Sequence, residues 1–567
     1  MPQAKHRNNF FAKFDRRLWW IVGLAAIIIF WRISHVDMLG DDAHYSARAV
    51  GLVDFMFANP EYQSTPLQWY SQLPWWSHLS FHDHPILLFF ISYFFLSVHE
   101  SIFFAKLPFA LMTLASLVFM YQWIVIATKK ESLGLLATIL LALNAQFIWA
   151  GRVSYLEGGV IFFTLLAILT FWKFMDERRF WLVFGLCFGL ALLSKFITFF
   201  LIPAFILTIF FTDRSLFRKR ELYLSFGLAF LVNTPTIIYN IFMYFSTGHF
   251  ALQFARLFHQ TSPWHLEGVR TGSFLTAFVG LFQNLGGVIS WLYLACSLLA
   301  LGIMFFERTR LNIFLVSSFI FLVIQHIFIG NGGNVLAIFT ICFAPLLAVA
   351  INYIWSKVSV AKIPRTIFYV FATTGSLYAF FFVVNSHVFF RHIGSVGYGH
   401  SSLSSENRGV YQLDQYLSKL IATNGPWDSV DIYYVVKRVD PRLHKYITTL
   451  TSQERKEQAA HSRVILFDNS INWFARVWLF ERRRFYDNIP FVGIQEQKLL
   501  DQLKIYHMYF IRATSAAPLD HVDDQGSFEV EKLFLAANVQ PTLIYRDDGQ
   551  VAFRVYEADT SVLFKKK

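Results

Sequence analysis

The sequence predicts a polytopic α-helical membrane protein with about eleven spans, followed by a C-terminal α/β domain outside the membrane. Of its 567 residues, 55% are hydrophobic and only 15% are charged, a composition that a soluble globular protein does not have. Apolar runs of about 20 residues recur, which is the length that a helix needs to cross about 30 Å of hydrocarbon. From about His392 onward, charge rises and short β-rich runs alternate with helical patterns.

The basic residues predict how the chain threads through the bilayer. The formal net charge of +12 lies mostly in short clusters between apolar runs, so it indicates membrane topology and no nucleic-acid partner. Residues 1–17 carry five Lys or Arg and are expected to be cytoplasmic, and no small-residue cleavage site follows the first apolar run, which we interpret as an uncleaved anchor. The protein is therefore predicted to be a multi-pass protein of the cytoplasmic (inner) membrane with a cytoplasmic N-terminus.

Two apolar segments do not have the length of a single span, and each is interpreted separately. The run of about 13 residues after Pro85 is short for a span, and we interpret it as lying at the outer interface. Lys129, Lys130 and the later basic clusters then all fall inside, whereas a crossing would place those two lysines outside. The interval Phe180–Phe211 lies between two basic clusters on the same side, so it is expected to be two short helices that turn near Lys195. Further spans are predicted near residues 221–244, 287–306, 311–329, 335–354 and 366–384.

An odd number of spans places the C-terminal part outside, together with the first outer loop at 37–84. The transmembrane domain is expected to cover residues 18–390 and the extracytoplasmic α/β domain residues 391–567. Strands are predicted for VDIYYVV, RVILF, YHMYFIRA, TLIYR and AFRVYEA. The last two are joined across Asp547, Asp548 and Gly549, a hairpin turn signal. Helices are predicted for VYQLDQYLSKLI and QEQKLLDQLK.

This topology brings a set of ionisable residues to the outer face: Asp41, Asp42, Asp83, His84, Arg152, Glu157 and Lys195. Charged groups near hydrocarbon are costly, so several at one level indicate a site. Simpler roles stay open for each of them. Asp41 would cap a short helix, the pair before Pro85 would form a turn, and Arg152 would reach the headgroups while pairing with Glu157.

Metal binding is weakly indicated. The loop 246–272 contains His259 and His265, but the spacing matches no strong metal pattern, so a solvated loop is favoured. A divalent ion between Asp41 and Asp83 is the other candidate, and the spacing does not indicate it. No cofactor is otherwise expected.

Four short motifs resemble a known family. They are an acidic pair followed by tyrosine and alanine (Asp41, Asp42, Tyr45, Ala49), the run Asp83-His84-Pro85, the run GRVSYLEGG with Arg152 and Glu157, and the run GLALLSKF that ends near Lys195. In this order they resemble the membrane-embedded, lipid-phosphate-dependent glycosyltransferases of the GT-C fold, in the branch of aminoarabinose transferases and protein O-mannosyltransferases. The resemblance covers roughly residues 15–390. Many relatives have a second proline where Ile86 stands and an aspartate where Glu157 stands.

The resemblance implies an inverting glycosyltransferase that moves a sugar from a polyprenyl-phosphate donor to an acceptor hydroxyl at the outer face. The developing charge on the leaving phosphate needs fixed cations, for which Lys195, Arg152 and His84 are the candidates, while Tyr45 and Glu157 would contact substrate. By family analogy Asp41 is the base, with Asp83 second and Asp42 orienting the loop. The acceptor is left open between a glycan, a glycolipid and a protein hydroxyl.

Two alternatives belong to other functional classes. A transporter or flippase of a lipid-linked sugar also places charges near the bilayer, but it would favour charges deep within spans and helices broken at the midplane. A non-catalytic membrane subunit whose outer domain binds a partner would tolerate Asp41→Asn.

Overall fold

A computed structural model describes residues 15–52, 83–248, 250–258, 260, 274–306, 308–330, 332–360, 365–389, 407–424, 427, 463–487, 489–494, 506–520 and 525–563. The helices of its first, longer part are α1 (Arg16–Phe30), α2 (Asp41–Gly51), α3 (Leu87–Val98), α4 (Ile102–Thr128), α5 (Glu131–Ala142), α6 (Ala145–Arg152), α7 (Glu157–Asp176), α8 (Trp181–Ser194), α9 (Leu201–Thr212), α10 (Arg220–Thr247), α11 (Leu252–Leu257), α12 (Phe274–Ile289), α13 (Trp291–Phe306), α14 (Arg310–Ile329), α15 (Thr340–Val360) and α16 (Arg365–His387). Short 3₁₀ helices connect some of them.

Six of the described helices are long and apolar enough to cross a membrane. The number rises to eight if each of two bent pairs, α5 with α6 and α12 with α13, forms one span. The polytopic helical architecture is therefore confirmed, whereas the predicted number of eleven spans stays a prediction. α3, with 12 residues, is too short to cross about 30 Å of hydrocarbon.

The chain forms two compact units. The described residues of the first unit, which we call the membrane unit, lie within 1–33, 79–91 and 106–405. Those of the second lie within 34–78, 92–105 and 406–567, and we call it the outer unit after the outer loop and outer domain that the sequence predicts for these segments. The outer unit thus takes in a segment before α3 and the second half of α3 with the residues that follow it, besides the C-terminal region. The linear boundaries at residues 17 and 390 stay predictions.

The basic connections of the membrane unit meet at one end of its helices. Asp176, at the end of α7, binds Arg310 (2.9 Å) and lies 3.8 Å from the Lys129 ammonium. Arg178 binds Asp213 at 2.7 Å. Connections that the charge rule assigns to the same side of the membrane are therefore neighbours in space.

The two short helices α8 and α9 confirm the predicted turn at Lys195. Lys195 has extended backbone, and a 3₁₀ turn, Phe196–Phe200, leads into α9. α8 packs closely on α10 because its GLCFG run places glycines four residues apart. A Cβ atom at Gly185 would lie 2.7 Å from the carbonyl oxygen of Ser225, and one at Gly189 would lie 2.7 Å from Cβ of Val232. Small residues at such spacing let two membrane helices approach closely.

The C-terminal part of the outer unit is an α/β fold around a five-stranded sheet. Its strands are β1 (Arg463–Phe467), β2 (Phe491–Gly493), β3 (His507–Ala513), β4 (Thr542–Tyr545) and β5 (Val551–Asp559), in the order β2-β1-β3-β5-β4. Its helices are α17 (Val410–Thr423), α18 (Trp473–Arg476), α19 (Arg482–Tyr486), α20 (Gln525–Ala536) and α21 (Thr560–Leu563). β1 pairs in parallel with β2 and β3, whereas β5 is antiparallel to β3 and β4.

Helices cover both faces of this sheet. Val530 and Phe534 of α20 pack with Phe510 and Tyr556 on one face. On the other face, Phe480 stacks on Phe467 at 4.4 Å. Phe480 lies in the π-helical turn Val477–Glu481 that joins α18 to α19. We refer to the continuous segment Trp473–Tyr486 as the clamp helix.

Four of the five predicted strands and one of the two predicted C-terminal helices are present. The hairpin across Asp547, Asp548 and Gly549 is confirmed, with Gly549 at φ +84° as its turn requires. VDIYYVV and QEQKLLDQLK lie outside the described residues. β2, the clamp helix and α20 were not predicted.

Candidate functional site

The acidic pair Asp41 and Asp42 begins α2, and the two carboxylates have different surroundings. Asp42 is fully buried, and its Oδ1 accepts hydrogen bonds from the amides of Gly40 (3.1 Å) and Ala43 (3.0 Å). Asp41 is only partly buried, and its Oδ2 accepts a hydrogen bond from the Tyr45 hydroxyl at 3.3 Å. The short helix expected here is present, but Asp42, and not Asp41, binds the amides at its start. Asp41 is the more accessible of the two acids.

α2 is held against the clamp helix of the same unit. The ring of His44 meets the edge of Trp473, with centroids 5.7 Å apart. The Tyr486 hydroxyl donates to the backbone oxygen of Arg48 at 3.4 Å, and a Cβ atom at Gly51 would collide with the Tyr486 ring. The packing buries every residue from Asp42 to Ala49, so Asp41 is presented from a rigid support.

Asp83 and His84 come just before α3. Asp83 is 7% exposed and His84 is 4% exposed. A solvated turn before a proline does not require buried side chains. Burial of polar side chains is costly unless they are partnered, so the burial of Asp83 and His84 indicates more than a turn.

Glu157 and Lys195 form a buried ion pair in the membrane unit. The Lys195 ammonium donates to Oε1 of Glu157 at 2.6 Å, and each side chain is 4% exposed. Oε2 of Glu157 is also buried and has no hydrogen-bond partner among the described residues. Glu157 begins α7, whose 20 residues span about 30 Å. The pair therefore lies at the end of α7 opposite Asp176 and the basic connections.

Arg152 binds the end of α1 and not Glu157. Its guanidinium donates to the backbone oxygens of Ile28, Ile29 (2.9 Å) and Trp31 (2.8 Å). Helix ends leave carbonyl groups without intrahelical partners, and a cation there also interacts favourably with the helix dipole. Lys106 adds a 3.4 Å contact to the oxygen of Ile33. A pair of buried cations thus stabilises the end of the first helix.

Two residues near these groups were not singled out from the sequence. Lys106 is fully buried within the apolar helix α4, and a lone lysine in such a run was the available signal. His326 of α14 is 1% exposed and interacts electrostatically with Lys195. Its Nδ1 contacts the oxygen of Leu322 at 2.8 Å, and its ring also interacts with the backbone of Val335.

The predicted site residues are divided between the two units. Asp41, Asp42 and Tyr45 belong to the outer unit, whereas Asp83, His84, Arg152, Glu157 and Lys195 belong to the membrane unit. Within the membrane unit, the structure joins Lys195 directly to Glu157.

A metal site is not indicated by the described residues. Among them, no group of three or more His, Cys, Asp or Glu side chains could hold a metal ion. The two histidines considered from the sequence, His259 and His265, lie outside the described part of the chain.

Solved structures with similarity to this chain include two of ArnT from Cupriavidus metallidurans. The ArnT structure bound to undecaprenyl phosphate has 13% identity and a TM-score of 0.49, and the apo structure has 13% identity and a TM-score of 0.45. Each comparison covers 96% of this chain and 98% of ArnT. The Saccharomyces cerevisiae protein O-mannosyltransferase complex Pmt1-Pmt2, bound to the sugar donor, has 14% identity and a TM-score of 0.30, covering 42% of this chain and 34% of that one. No curated protein sequence matches significantly.

The family comparison concerns the segment that carries five of the predicted site residues. Residues 83–239 match the family model described as dolichyl-phosphate-mannose-protein mannosyltransferase. This segment includes Asp83, His84, Arg152, Glu157 and Lys195. The match confirms, over residues 83–239, the resemblance to the lipid-phosphate-dependent membrane glycosyltransferases of the GT-C fold.

Proposed function

We propose that the protein is an inverting glycosyltransferase that moves a sugar from a polyprenyl-phosphate donor to an acceptor hydroxyl at the extracytoplasmic face of the cytoplasmic membrane. The observation that carries the proposal is the buried Lys195–Glu157 pair inside the matched segment. The description of that family names dolichyl-phosphate-mannose, a sugar on a lipid phosphate. A polyprenyl phosphate has the same chemistry, with its tail in lipid and its phosphate at the interface.

Asp41 is the proposed base. Transfer with inversion needs a carboxylate that takes the acceptor proton on the side of the anomeric carbon opposite the leaving phosphate. Asp41 suits this role better than Asp42, because Asp42 is fully buried and binds the amides of Gly40 and Ala43. The Tyr45 hydroxyl, bound to Oδ2 of Asp41, orients the carboxylate. Asp83 stays the second candidate.

Lys195 and His84 are the proposed contacts for the leaving phosphate. The loss of a polyprenyl phosphate concentrates negative charge on its oxygens, and a preorganised cation in a site that excludes water stabilises that charge. Lys195 has three N–H donors, of which Glu157 accepts one. Oε2 of Glu157 would accept a hydrogen bond from a sugar hydroxyl. Arg152 supports the site indirectly in this proposal, through the end of α1.

The composition of the outer unit supports the proposed sidedness. Segments 34–52, 92–105 and the C-terminal α/β region belong to one compact unit. Glu100, just after α3, forms an ion pair with Arg482 of the clamp helix. Because one folded unit lies on one side of a bilayer, this grouping favours an interfacial α3. We assign that side to the extracytoplasmic face, with the N-terminus in the cytoplasm.

A transporter of a lipid-linked sugar is the second candidate. The observation that favours it is the same ion pair, because buried charges at helix breaks are also typical of transport pathways. Lys195 lies at the break between α8 and the turn Phe196–Phe200. A transporter would move the intact lipid-linked sugar across the membrane and would not release polyprenyl phosphate.

The test is incubation of the purified protein with a panel of polyprenyl-phosphate sugars and candidate acceptors. Release of polyprenyl phosphate coupled to glycosylation of the acceptor supports the proposal, provided that Asp41→Asn abolishes it. Translocation of an intact donor in vesicles, without cleavage, supports the transporter.

A further inference from the structure

We propose that Asp37 is a positioning residue for Asp41, and that the C-terminal α/β region is thereby part of the machinery that sets the geometry of the reaction. The inference rests on the proposed function, in which Asp41 is the base. It adds a role for the outer domain and names the side chain that links it to the Asp41 loop.

Asp37 caps a helix that begins more than 370 residues later. α17 begins after Gly409, which has φ +94° and no side chain to bind the first amides of the helix. Asp37 supplies that acceptor: its Oδ1 accepts from the amide of Tyr411 at 3.0 Å, and its Oδ2 accepts from the amide of Arg408. The Asp37 side chain is fully buried. A carboxylate at a helix N-terminus is stabilised by the amides and by the helix dipole.

Gly409 fixes where the start of α17 lies. A Cβ atom at Gly409 would be 2.5 Å from Cβ of Ala552, a residue of β5. The start of the helix is therefore packed directly on the sheet, and Asp37 is bound to a part of the domain that has no room to shift.

A second anchor holds the residues just before Asp37. Nδ1 of His35 lies 3.1 Å from Oδ2 of Asp547, in the turn between β4 and β5, and the His35 ring lies 4.6 Å from that of Tyr411. Asn407 donates to the backbone oxygen of His35 at 2.9 Å. The C-terminal region thus binds the side chains of His35 and Asp37 and the backbone oxygen of His35.

The same region holds the chain beyond Asp41. Asp414 of α17 is buried and binds both Arg482 (2.9 Å) and Arg483 (2.8 Å) of the clamp helix. That helix supports α2 through Trp473 and Tyr486. Asp41 therefore lies between two anchored points. Asp37 before it is bound to the start of α17, and α2 after it is supported by the clamp helix, which is itself bound to α17.

This arrangement has a catalytic consequence. A base acts only within hydrogen-bond reach of the proton that it takes, and displacement by about 1 Å costs about 100-fold in rate. Removing the Asp37 carboxylate frees residues 37–40 from α17. We expect kcat to fall while the KM for the donor changes little, because Asp37 binds the backbone amides of Arg408 and Tyr411 and acts through the position of Asp41.

The experiment compares Asp37→Ala and Asp37→Asn with a matched control in the purified full-length protein. Asp15 is also a carboxylate that caps a helix, since it accepts from the Arg17 amide at the start of α1. The expected kcat is lower by about 100-fold for Asp37→Ala, by about 10-fold for Asp37→Asn, which keeps one acceptor, and unchanged for Asp15→Ala.

A double-mutant cycle shows whether Asp37 acts through Asp41. In Asp41→Glu the carboxylate is already displaced by one methylene, so adding Asp37→Ala should then cost at most a few-fold. If Asp37 only stabilises the fold, its loss has the same effect in both backgrounds, and the melting temperature falls in step with the rate. Where Asp37→Ala does not fold, Asp37→Asn completes the cycle.

The outcomes separate the two proposals. A wild-type rate in Asp37→Ala, or an equal loss in the Asp41→Glu background, overturns the positioning role while the proposed function stands. If the wild-type protein releases no polyprenyl phosphate from any donor, the proposed function is wrong and the positioning role falls with it. If Asp41→Asn matches the wild-type rate, the transfer activity stands, but Asp41 is not the base and Asp37 has no base to position.

Discussion

The Lys195 ammonium donates a 2.6 Å hydrogen bond to Oε1 of Glu157, and both side chains are buried in the membrane unit. The two residues terminate different helices, since Glu157 begins α7 and Lys195 follows α8. Moving two charges out of water is expensive, and their mutual attraction offsets that cost only when the geometry is good. An apolar pair of similar size would pack at lower cost, so we infer that the charges are kept for chemistry.

Breaking this ion pair should separate stability from activity. Lys195→Met or Glu157→Gln alone leaves one buried charge unpaired, which typically costs about 3–5 kcal/mol. The double variant should recover much of the lost stability but none of the transfer activity. Thermal unfolding in detergent measures the first quantity and polyprenyl-phosphate release the second. Full activity in the stable double variant would show that the pair is structural.

The two adjacent aspartates should respond oppositely to substitution. Asp41→Asn should lower kcat by about 100-fold or more, since general bases contribute about 10²–10⁴-fold, and should leave the melting temperature unchanged. Asp42→Ala removes an acceptor at the start of α2 and should cost about 1 kcal/mol of stability, whereas Asp42→Asn keeps an acceptor and should be nearly neutral. The reverse pattern, with Asp42→Asn inactive and Asp41→Asn active, would transfer the role of base to Asp42.

Arg152 should behave as a stabiliser of the end of α1. Arg152→Leu leaves backbone oxygens of Ile28, Ile29 and Trp31 without their guanidinium donors. Each buried acceptor left unsatisfied costs about 1–3 kcal/mol, so the melting temperature should fall clearly. Arg152→Lys should restore part of the loss. A raised KM for the donor with an unchanged melting temperature would instead favour the direct phosphate contact considered from the sequence.

The sequence predicts the helices and their turns better than it predicts the partners of their charges. The turn at Lys195 follows from an apolar interval too long for one span between two basic clusters. Glu157, however, has Arg152 five positions before it and Lys195 far away along the chain. The break between α6 and α7 separates Arg152 from Glu157, and Arg152 binds the end of α1 instead.

Long-range partners also explain what was missed in the outer unit. The run of three arginines at 482–484 resembles a solvated charged segment, yet Arg482 and Arg483 are buried against Asp414. Asp37 resembles an ordinary loop residue, and its role as the cap of α17 depends on a helix more than 370 residues away. Local spacing carries no information about such pairs.

Thiol labelling can test the assignment of sides. In a variant without Cys187, Cys296 and Cys342, single cysteines replace Lys532 on α20 or Lys129 beside α5, both of which are exposed. A membrane-impermeant maleimide applied to intact cells should label position 532 but not 129, and position 129 should react only after permeabilisation. Labelling of both positions from outside would contradict the topology.

The central claim is that this protein cleaves the bond between a sugar and a polyprenyl phosphate. The most direct measurement follows release of polyprenyl phosphate from a panel of polyprenyl-phosphate sugars by the purified protein, with Asp41→Asn beside it. The account predicts release with at least one donor and loss of at least about 100-fold of that rate in the variant. Folded wild-type protein that releases none from any donor would contradict the claim, and a variant as active as wild type would contradict the role of Asp41 as the base.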